Sequence, residues 1–196
     1  MRVIAGDARG RKLRVPRLEQ LRPTSGRARE AIFDILDSRL LVEGARLLDL
    51  FAGSGALGIE ALSRGAAGAV FVESDRLAVR AITENLQSLG YLGNEGVEVV
   101  RADVLSFLSG PRSRSCDVAL IDPPYAFSGW PELLSKLDAT TAVLEHSRPI
   151  EVVAPYEVVR VYRFGTTLVT LATSGAASTP QVPEMKDETS TDWSSA

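Results

Sequence analysis

The spacing of apolar residues changes along the chain and predicts one helix followed by alternating strands and helices. Between residues 25 and 40, apolar side chains recur at intervals of three and four, the period of one helix face. These residues are Ala28, Ala31, Ile32, Ile35, Leu36 and Leu40. From residue 46 onward, short apolar runs alternate with amphipathic stretches, as in "RLLDLF" followed by "GALGIEALSRG". This repetition favours an α/β fold with a mostly parallel, Rossmann-like sheet and helices on both faces.

The same pattern continues to about residue 173. Further strands are predicted at "AAGAVFVE", "VEVVRAD", "CDVALID" and "TAVLEH", with helices at "RLAVRAITENLQSLG", "VLSFLSG" and "PELLSKLD". The runs "EVVRVYRF" and "TTLVTLA", joined at Gly165, predict an antiparallel hairpin at the edge of the sheet.

Three segments are therefore expected. Residues 1–23 read as a small basic β-hairpin extension, with short strands on either side of the turn "DARG". Residues 24–173 form the α/β domain, and Thr24 is a candidate N-cap of its first helix. Residues 174–196 are rich in Ser, Thr, Pro and acidic side chains without periodicity, which predicts a disordered tail.

Composition narrows the class of protein. The chain of 196 residues is 45% hydrophobic and 24% charged, and its apolar runs are shorter than the ~20 residues that span a bilayer. A single cysteine, Cys116, rules out an internal disulfide and fits a reducing compartment. A single histidine, His146, argues against a histidine-rich metal site. We expect a cytoplasmic protein with no membrane contact and no metal, and we expect it to be a monomer.

The net charge of −3 conceals a basic beginning. Residues 1–30 hold nine Arg and Lys against three acidic residues: Arg2, Arg9, Arg11, Lys12, Arg14, Arg17, Arg22, Arg27 and Arg29 against Asp7, Glu19 and Glu30. Such a segment could bind a phosphate backbone, because a nucleic acid interacts with the charge of the surface that it contacts and not with the net charge of the whole chain. A solvated surface arm would have the same composition, so charge alone leaves both interpretations open.

A glycine-rich loop follows the first strand of the α/β region. In "DLFAGSGALG", Gly53, Gly55 and Gly58 satisfy G-x-G-x-x-G, and Glu73 lies 20 residues beyond Gly53. Glycines let a backbone approach a cofactor closely, and an acid at that distance hydrogen-bonds ribose hydroxyls. The loop predicts an adenosine-bearing cofactor but does not distinguish a dinucleotide from S-adenosylmethionine.

Asp49 favours S-adenosylmethionine. A carboxylate just before the loop suits a cofactor with a sulfonium and an ammonium group, whereas a pyrophosphate would be repelled. Asp103, in "RADV", is a candidate partner for the adenine amine. The predicted cofactor site also takes in the neighbouring residues Phe51, Ser54, Ser74 and Val104. An NAD(P)-dependent oxidoreductase remains an alternative, although it gives Asp49 no role.

The segment Asp122-Pro123-Pro124-Tyr125 follows the fourth strand and predicts chemistry on an amine. An exocyclic base amine is a poor nucleophile because its lone pair is delocalised into the ring. The Asp122 carboxylate and the Pro123 carbonyl offer two acceptors for its N–H bonds, and the prolines fix the backbone between them. Tyr125 offers a face for stacking the base. Without its βα context, the tetrapeptide would be a rigid turn.

Together, "DLFAGSG" and "DPPY" resemble S-adenosylmethionine-dependent amino methyltransferases. The longer pattern "RGRKL…LRPTSGRAREAIFDIL…LLDLFAGSGALGIEALSRGA…DPPY…YRFGTTLVTLA" is similar to that of the RsmD-type bacterial 16S ribosomal RNA guanine-N2 methyltransferases, over residues 2–173. The resemblance implies a Rossmann-like methyltransferase sheet, S-adenosylhomocysteine as product, and a guanine of the small ribosomal subunit as substrate.

By position, the resemblance also implies roles for individual residues. Gly53 and Gly55 would line the cofactor, Glu73 would hold its ribose and Asp103 would face its adenine. Asp122 and Tyr125 would handle the base. The basic residues Arg9, Arg11, Lys12, Arg14, Arg22, Arg27 and Arg29 are then candidate RNA contacts. An ion pair of Arg27 or Arg29 with Glu30 or Asp34 is the alternative. Other nucleic-acid or protein amino methyltransferases, and a non-catalytic RNA-binding module, remain open.

Overall fold

The computed structural model describes residues 1–16, 26–111 and 115–175, and the side chains from residue 28 in the first helix. Helix α1 runs from Gly26 to Asp37. Ile32 and Leu36 from its predicted apolar face are buried against the sheet, and so is Phe33, which the predicted face did not include. Leu40 was expected on this face, but it lies beyond the end of the helix and is 88% exposed. Thr24, Arg22, the side chain of Arg27 and the tail from residue 176 lie outside the described residues.

Seven strands form one sheet in the order β3-β2-β1-β4-β5-β7-β6. Their bounds are β1 Arg46–Leu50, β2 Gly68–Glu73, β3 Val97–Arg101, β4 Cys116–Ile121, β5 Ala139–His146, β6 Tyr156–Phe164 and β7 Thr167–Ser174. The first five strands are parallel, and β7 pairs antiparallel with both β5 and β6. The predicted α/β class and its antiparallel edge hairpin are confirmed. Strands β2 and β3 are added on one side of β1, and β4 and β5 on the other. The strand order therefore reverses between β1 and β4, and sheets of this kind bind ligands at such a point.

Helices cover both faces of the sheet. They are α2 Ala56–Ser63, α3 Arg76–Leu89, α4 Val104–Leu108 and α5 Trp130–Lys136. Residues 1–16 and helices α1 to α3 pack on one face, and helices α4 and α5 pack on the other. Local signals set the ends of α3: the Asp75 carboxylate accepts hydrogen bonds from the first turn, and Gly90 closes the helix with φ 81°.

The N-terminal segment turns back on itself but forms less sheet than the sequence predicts. Its two arms meet in one antiparallel bridge between Arg2 and Lys12, and three backbone hydrogen bonds join them, from Val3 to Arg11, from Gly10 to Val3 and from Leu13 to Met1. Val3 and Leu13 are buried in the core beside α2 and α3, so the segment is packed on the domain. The carboxylate of Glu60, on α2, accepts hydrogen bonds from the backbone of Ile4 and Ala5 at 2.8 and 2.9 Å. These bonds take the place of strand pairing along this stretch.

Among the described residues, no helix combines the length and the apolar character needed to span a bilayer.

Candidate functional site

The three glycines of the loop after β1 have different structural roles. Gly53 and Gly55 both have left-handed backbone, with φ 56° and 77°, a conformation that side chains disfavour. Gly55 is also the N-cap of α2, and a Cβ there would point towards Ile82 at 3.3 Å, in the core. Gly58 lets α2 approach the sheet, because a Cβ there would overlap the ring of Phe71. Of the three, Gly53 is the one held against the acid of the next strand.

That acid is Glu73, which is buried at the end of β2. One carboxylate oxygen accepts a hydrogen bond from the Gly53 N–H, and the other accepts one from the Asp75 N–H, both at 2.8 Å. Ser74, beside it, is exposed. Glu73 therefore joins the loop after β1 to the loop after β2. Its Oε1 also accepts a hydrogen bond from the Ser74 hydroxyl at 3.4 Å, whereas Oε2 retains a lone pair for a further donor.

Phe51 adopts left-handed backbone, with φ 59°, directly after β1. This conformation is strained for a bulky residue and clusters at functional sites. Its ring packs edge-to-face on Phe127, with the ring centroids 5.1 Å apart, and Phe127 packs likewise on Trp130 at 5.4 Å. Aromatic contacts thus connect the glycine loop to the segment that follows Asp122.

The DPPY segment lies at the carboxyl end of β4, as predicted, and its backbone turns sharply. The Pro124 carbonyl accepts a hydrogen bond from the Phe127 N–H at 2.8 Å, which places Tyr125 at the tip of the turn with 69% of its surface exposed. Asp122 and Pro123 are half-buried beneath it. Among the described residues, no donor bonds the Pro123 carbonyl, so this oxygen is available to a ligand.

Four acidic side chains lie at or within one residue of the ends of four neighbouring strands at this edge of the sheet. We call Glu73 (β2), Asp49 (β1), Asp122 (after β4) and Glu145 (β5) the acidic row. Side chains alternate along a strand, and the residues two positions before these acids, such as Phe71 and Val143, lie in the core on the α1–α3 face. The acidic row therefore lies on that face.

Asp49 lies at the centre of the acidic row and is 1% exposed. One of its oxygens accepts a hydrogen bond from the Gly58 N–H at 2.8 Å, which favours ionisation. Burial, followed by the negative charges of Asp122 and Glu73, nevertheless raises the pKa of Asp49 well above its ordinary value. Repulsion among these carboxylates means that a cation bound here would be stabilised.

Glu145 was not singled out from the sequence. Register pairs Ile121 with Leu144, so Glu145 is the neighbour of Asp122 on the adjacent strand. Its Oε2 is buried and accepts no hydrogen bond from the described residues. Burial, with the charge of Asp122 added to it, raises the pKa of Glu145 to about 8. The only sequence signal was an acid at the end of a predicted strand, which is common on surfaces.

Asp103 and Val104 lie after β3, at the edge of the predicted cofactor site. Asp103 is the N-cap of α4, and its side chain accepts a hydrogen bond from the Ser106 N–H at 2.9 Å. Its carboxylate is exposed, so this cap leaves an oxygen free for a second donor. Val104 is buried in the core.

The basic residues of the N-terminal segment differ in how they are held. Arg11 donates to the Ser88 carbonyl at 2.6 Å, and Arg14 pairs with Glu84 at 2.9 Å. Arg9 and Lys12 are exposed, and their side chains make no hydrogen bond or ion pair with the described residues.

Arg29 differs from the expectation of an RNA contact. It is 2% exposed, and its Nη2 donates to the Arg2 carbonyl at 2.6 Å. The partner expected from its own helix is also wrong, because the nearest carboxylate is that of Glu60, at 3.9 Å. Burial lowers the pKa of Arg29 from 12.5. The packing of α1 on α2 thus turns this side chain inward, where it ties the N-terminal segment to the domain.

Asn85 is a second residue whose role the sequence did not reveal. It is 1% exposed on α3, and its amide nitrogen donates to the carbonyls of Arg14 and Ser54, both at 3.0 Å. Its amide oxygen accepts from the Arg14 N–H at 2.7 Å. Asn85 therefore holds the end of the basic segment against the glycine loop. A polar residue on an amphipathic helix gives no sign of such a contact before the fold is known.

The remaining candidates for chemistry have structural surroundings. Cys116 is buried, and burial is the main reason that the pKa of its thiol rises to about 12. His146 makes hydrogen bonds with the Arg148 carbonyl and the Thr170 hydroxyl, and burial lowers its pKa. In the described ranges, we find no group of three or more His, Cys, Asp or Glu side chains arranged to hold a metal.

The chain is similar to known proteins over most of its length. Residues 1–170 match the model of a protein family described as "Conserved hypothetical protein 95". An Escherichia coli K12 protein named "Ribosomal RNA small subunit methyltransferase D" is 44% identical over 125 residues, which cover 64% of this chain and 60% of the relative. The matched region thus spans less than two thirds of that relative. A Bacillus subtilis (strain 168) protein named "Putative rRNA methyltransferase YlbH" is 36% identical over 77% of this chain and 85% of its own length.

Solved structures have the same fold. One titled "Putative methyltransferase yhhF from Escherichia coli" superposes with a TM-score of 0.77 at 35% identity, over 89% of this chain and 97% of that chain.

Proposed function

The chain belongs to the RsmD-type methyltransferase family, and from this we propose that it methylates the exocyclic N2 amine of a guanine in small-subunit (16S) ribosomal RNA, using S-adenosylmethionine. One observation carries the proposal. The DPPY segment begins where β4 ends, beside β1, and the charge of Asp122 acts on Asp49 at the start of the glycine loop. A segment suited to binding an amine thus adjoins a loop suited to binding a cofactor.

The acidic row fits the charge of this cofactor. Asp49 is buried near Asp122 and Glu73, and a sulfonium or ammonium group beside these acids would favour their ionised forms. Asp49 would face the amino-acid end, Glu73 the ribose and Asp103 the adenine. When bound, S-adenosylmethionine supplies a methyl group on a positively charged sulfur.

The residues after β4 would position the base. The Asp122 carboxylate and the Pro123 carbonyl would each accept one N–H of the guanine amine, which aims the nitrogen lone pair at the methyl group. Pro123 and Pro124 limit backbone rotation, so the carbonyl is held before the substrate arrives. The exposed ring of Tyr125 would stack on the base, worth about 1–3 kcal/mol in single-stranded nucleic acids. Most of the rate enhancement would come from positioning.

The basic segment would bind RNA phosphates. Arg9 and Lys12, both exposed, are its best-placed members, since Arg11 and Arg14 already have protein partners. A guanine within folded RNA must leave its stack to be methylated, at a cost of a few kcal/mol. We assign this phosphate contact to an N-terminal extension, residues 1–23, of a catalytic domain that covers residues 24–173. The protein would act as a cytoplasmic monomer on a small ribosomal subunit.

The test uses a deletion strain. Loss of one N2-methylguanosine from small-subunit RNA, restored by the wild-type gene but not by Asp122→Ala, is the expected result. We expect Asp122→Ala to lower kcat/KM by about 10²–10⁴-fold, because the amine loses its acceptor, while S-adenosylhomocysteine binding survives. Asp138→Ala, an exposed acid just before β5, is the control. An unchanged nucleoside profile in the deletion strain would contradict the proposal.

Three results, the first from calorimetry, would each indicate a rival class of protein. Binding of NADH without S-adenosylhomocysteine would indicate an oxidoreductase. If both the wild-type protein and Asp122→Ala bind RNA and restore growth of the deletion strain equally, the chain would be a non-catalytic RNA-binding module. Methylation of a protein or DNA with no change in ribosomal RNA would indicate another amino methyltransferase.

A further inference from the structure

Glu145 lies beside the proposed amine-binding site, on the next strand of the sheet. The β4–β5 register places it next to Asp122, and the β5–β7 register pairs it with Val169. Val169 is 1% exposed and belongs to the core on the α1–α3 face. Opposite residues of an antiparallel pair share a face, so Glu145 has an apolar neighbour on one side and Asp122 on the other.

The carboxyl of Glu145 has no structural partner in the described part of the chain. Its Oε2 is buried without a hydrogen bond, and no described ion pair includes it. Buried polar atoms nearly always have partners, and those without one call for an explanation. The flanking β-strands supply no donor, because Asp122 is itself an acid and Val169 is apolar. A donor that arrives with the substrate would satisfy this oxygen.

Guanine carries a donor in the required position. Its N2 amine is adjacent to N1–H, so when Asp122 and Pro123 bind the amine, N1–H projects beside them. Adenine and cytosine differ, since the ring nitrogen next to their amine is a lone-pair acceptor. An oxygen acceptor beside the amine site therefore favours guanine and disfavours the other two bases.

We propose that Glu145 accepts the N1–H of the target guanine and so determines the specificity of methyl transfer for guanine. The inference rests on the proposed function and adds a residue to its base-binding site. Glu145 discriminates as the ionised carboxylate, which can only accept, whereas a protonated carboxyl also has an O–H donor that would suit a base with a lone pair at N1. The rates on the two bases are therefore compared at pH 9. A site built to hydrogen-bond one substrate can reject an analogue that lacks the group by about 10⁴–10⁵-fold.

The experiment compares two bases at the target nucleotide, mapped in the deletion strain. 2-Aminopurine keeps the 2-amino group but presents a lone pair at N1. Wild-type protein should prefer guanine by at least ~100-fold in kcat/KM, a modest part of that range. Glu145→Gln replaces one acceptor by an amide donor, so the rate on guanine should fall and the rate on 2-aminopurine should rise. The preference should shrink at least tenfold, whereas a purely structural defect would lower both rates together.

Controls separate the possible failures. Glu157→Gln makes the same change on the exposed edge strand β6 and should leave the preference unchanged. Glu145→Gln should bind S-adenosylhomocysteine as the wild type does. If Glu145→Gln does not fold, Glu145→Asp is used instead. It withdraws the carboxyl by one methylene and should also reduce the preference for guanine over 2-aminopurine. A preference within twofold of wild type in the folded variant would overturn the role of Glu145. Wild-type protein that methylates neither base would instead contradict the proposed function.

Discussion

The substitution Glu145→Gln should stabilise the protein at alkaline pH, although we expect it to weaken function. Burial and the charge of Asp122 raise the pKa of Glu145 from 4.5 to about 8. Between these values the folded protein keeps a proton that the unfolded chain has released. The free energy of unfolding therefore falls as pH rises through this window, and the contribution is lost above the folded pKa.

The size of the effect follows from the same shift. A difference of about 3.5 pKa units corresponds to about 5 kcal/mol when the group is fully ionised in both states. Reorientation of the carboxylate towards water would reduce this value, so we expect Glu145→Gln to exceed wild type by about 2–5 kcal/mol at pH 9. At pH 5 the two proteins should differ little, because the wild-type carboxyl is protonated when folded and only partly ionised when unfolded.

Urea denaturation followed by circular dichroism at pH 5, 7 and 9, at constant ionic strength, measures this difference. Glu157→Gln, on the exposed strand β6, should show no comparable change with pH. A Glu145→Gln variant no more stable than wild type at pH 9, or a gap that does not widen with pH, would refute the reasoning. A variant that is more stable but less selective is the pattern expected when a protein keeps an unfavourable group for function.

Three further substitutions test the surroundings of the site. Gly58→Ala forces a methyl group against the ring of Phe71 and should cost about 1–3 kcal/mol of unfolding free energy in urea. Gly175→Ala is the control, because a Cβ there meets only the Pro155 carbonyl oxygen, at 3.8 Å. Equal stability of the two variants would contradict the close packing of α2. Glu60→Gln weakens the buried carboxylate that holds the N-terminal segment, and about 3–5 kcal/mol should be lost; a loss below 1 kcal/mol would contradict this role. Replacing Arg9 and Lys12 with Ala should weaken RNA binding and reduce its logarithmic salt slope by about 1 per phosphate contact, and an unchanged slope would exclude these contacts.

The aromatic contact between Phe51 and Phe127 packs the glycine loop after β1 against the DPPY segment after β4. Phe51 follows β1 and Phe127 follows the DPPY turn, so the glycine loop and the amine-binding segment share one packed interface. The positions of the two proposed substrates are thereby linked without a hydrogen bond. Asn85 has a comparable effect between the glycine loop and the end of the basic segment.

Most of the fold could be predicted from the sequence because its signals are local. Apolar periodicity identified α1, the strands of the parallel sheet and the β6–β7 hairpin at Gly165, where φ is 64°. Helix ends were equally readable, as at Gly90, because left-handed backbone selects glycine. The N-terminal hairpin was overestimated, since its backbone bonds go partly to the Glu60 side chain, which no local pattern reveals.

The sequence by itself determined which segments we propose for the chemistry: the glycine loop with Asp49, and DPPY at the end of a strand. It could not determine what surrounds them, because burial and charge interactions depend on which strands become neighbours. Placing β4 between β1 and β5 brings Asp122 beside both Asp49 and Glu145. In the same way, the packing of α1 on α2 turned Arg29 inward, although its charge had suggested an RNA contact. Charge is a property of each residue, but its surroundings are fixed only when distant segments pack together.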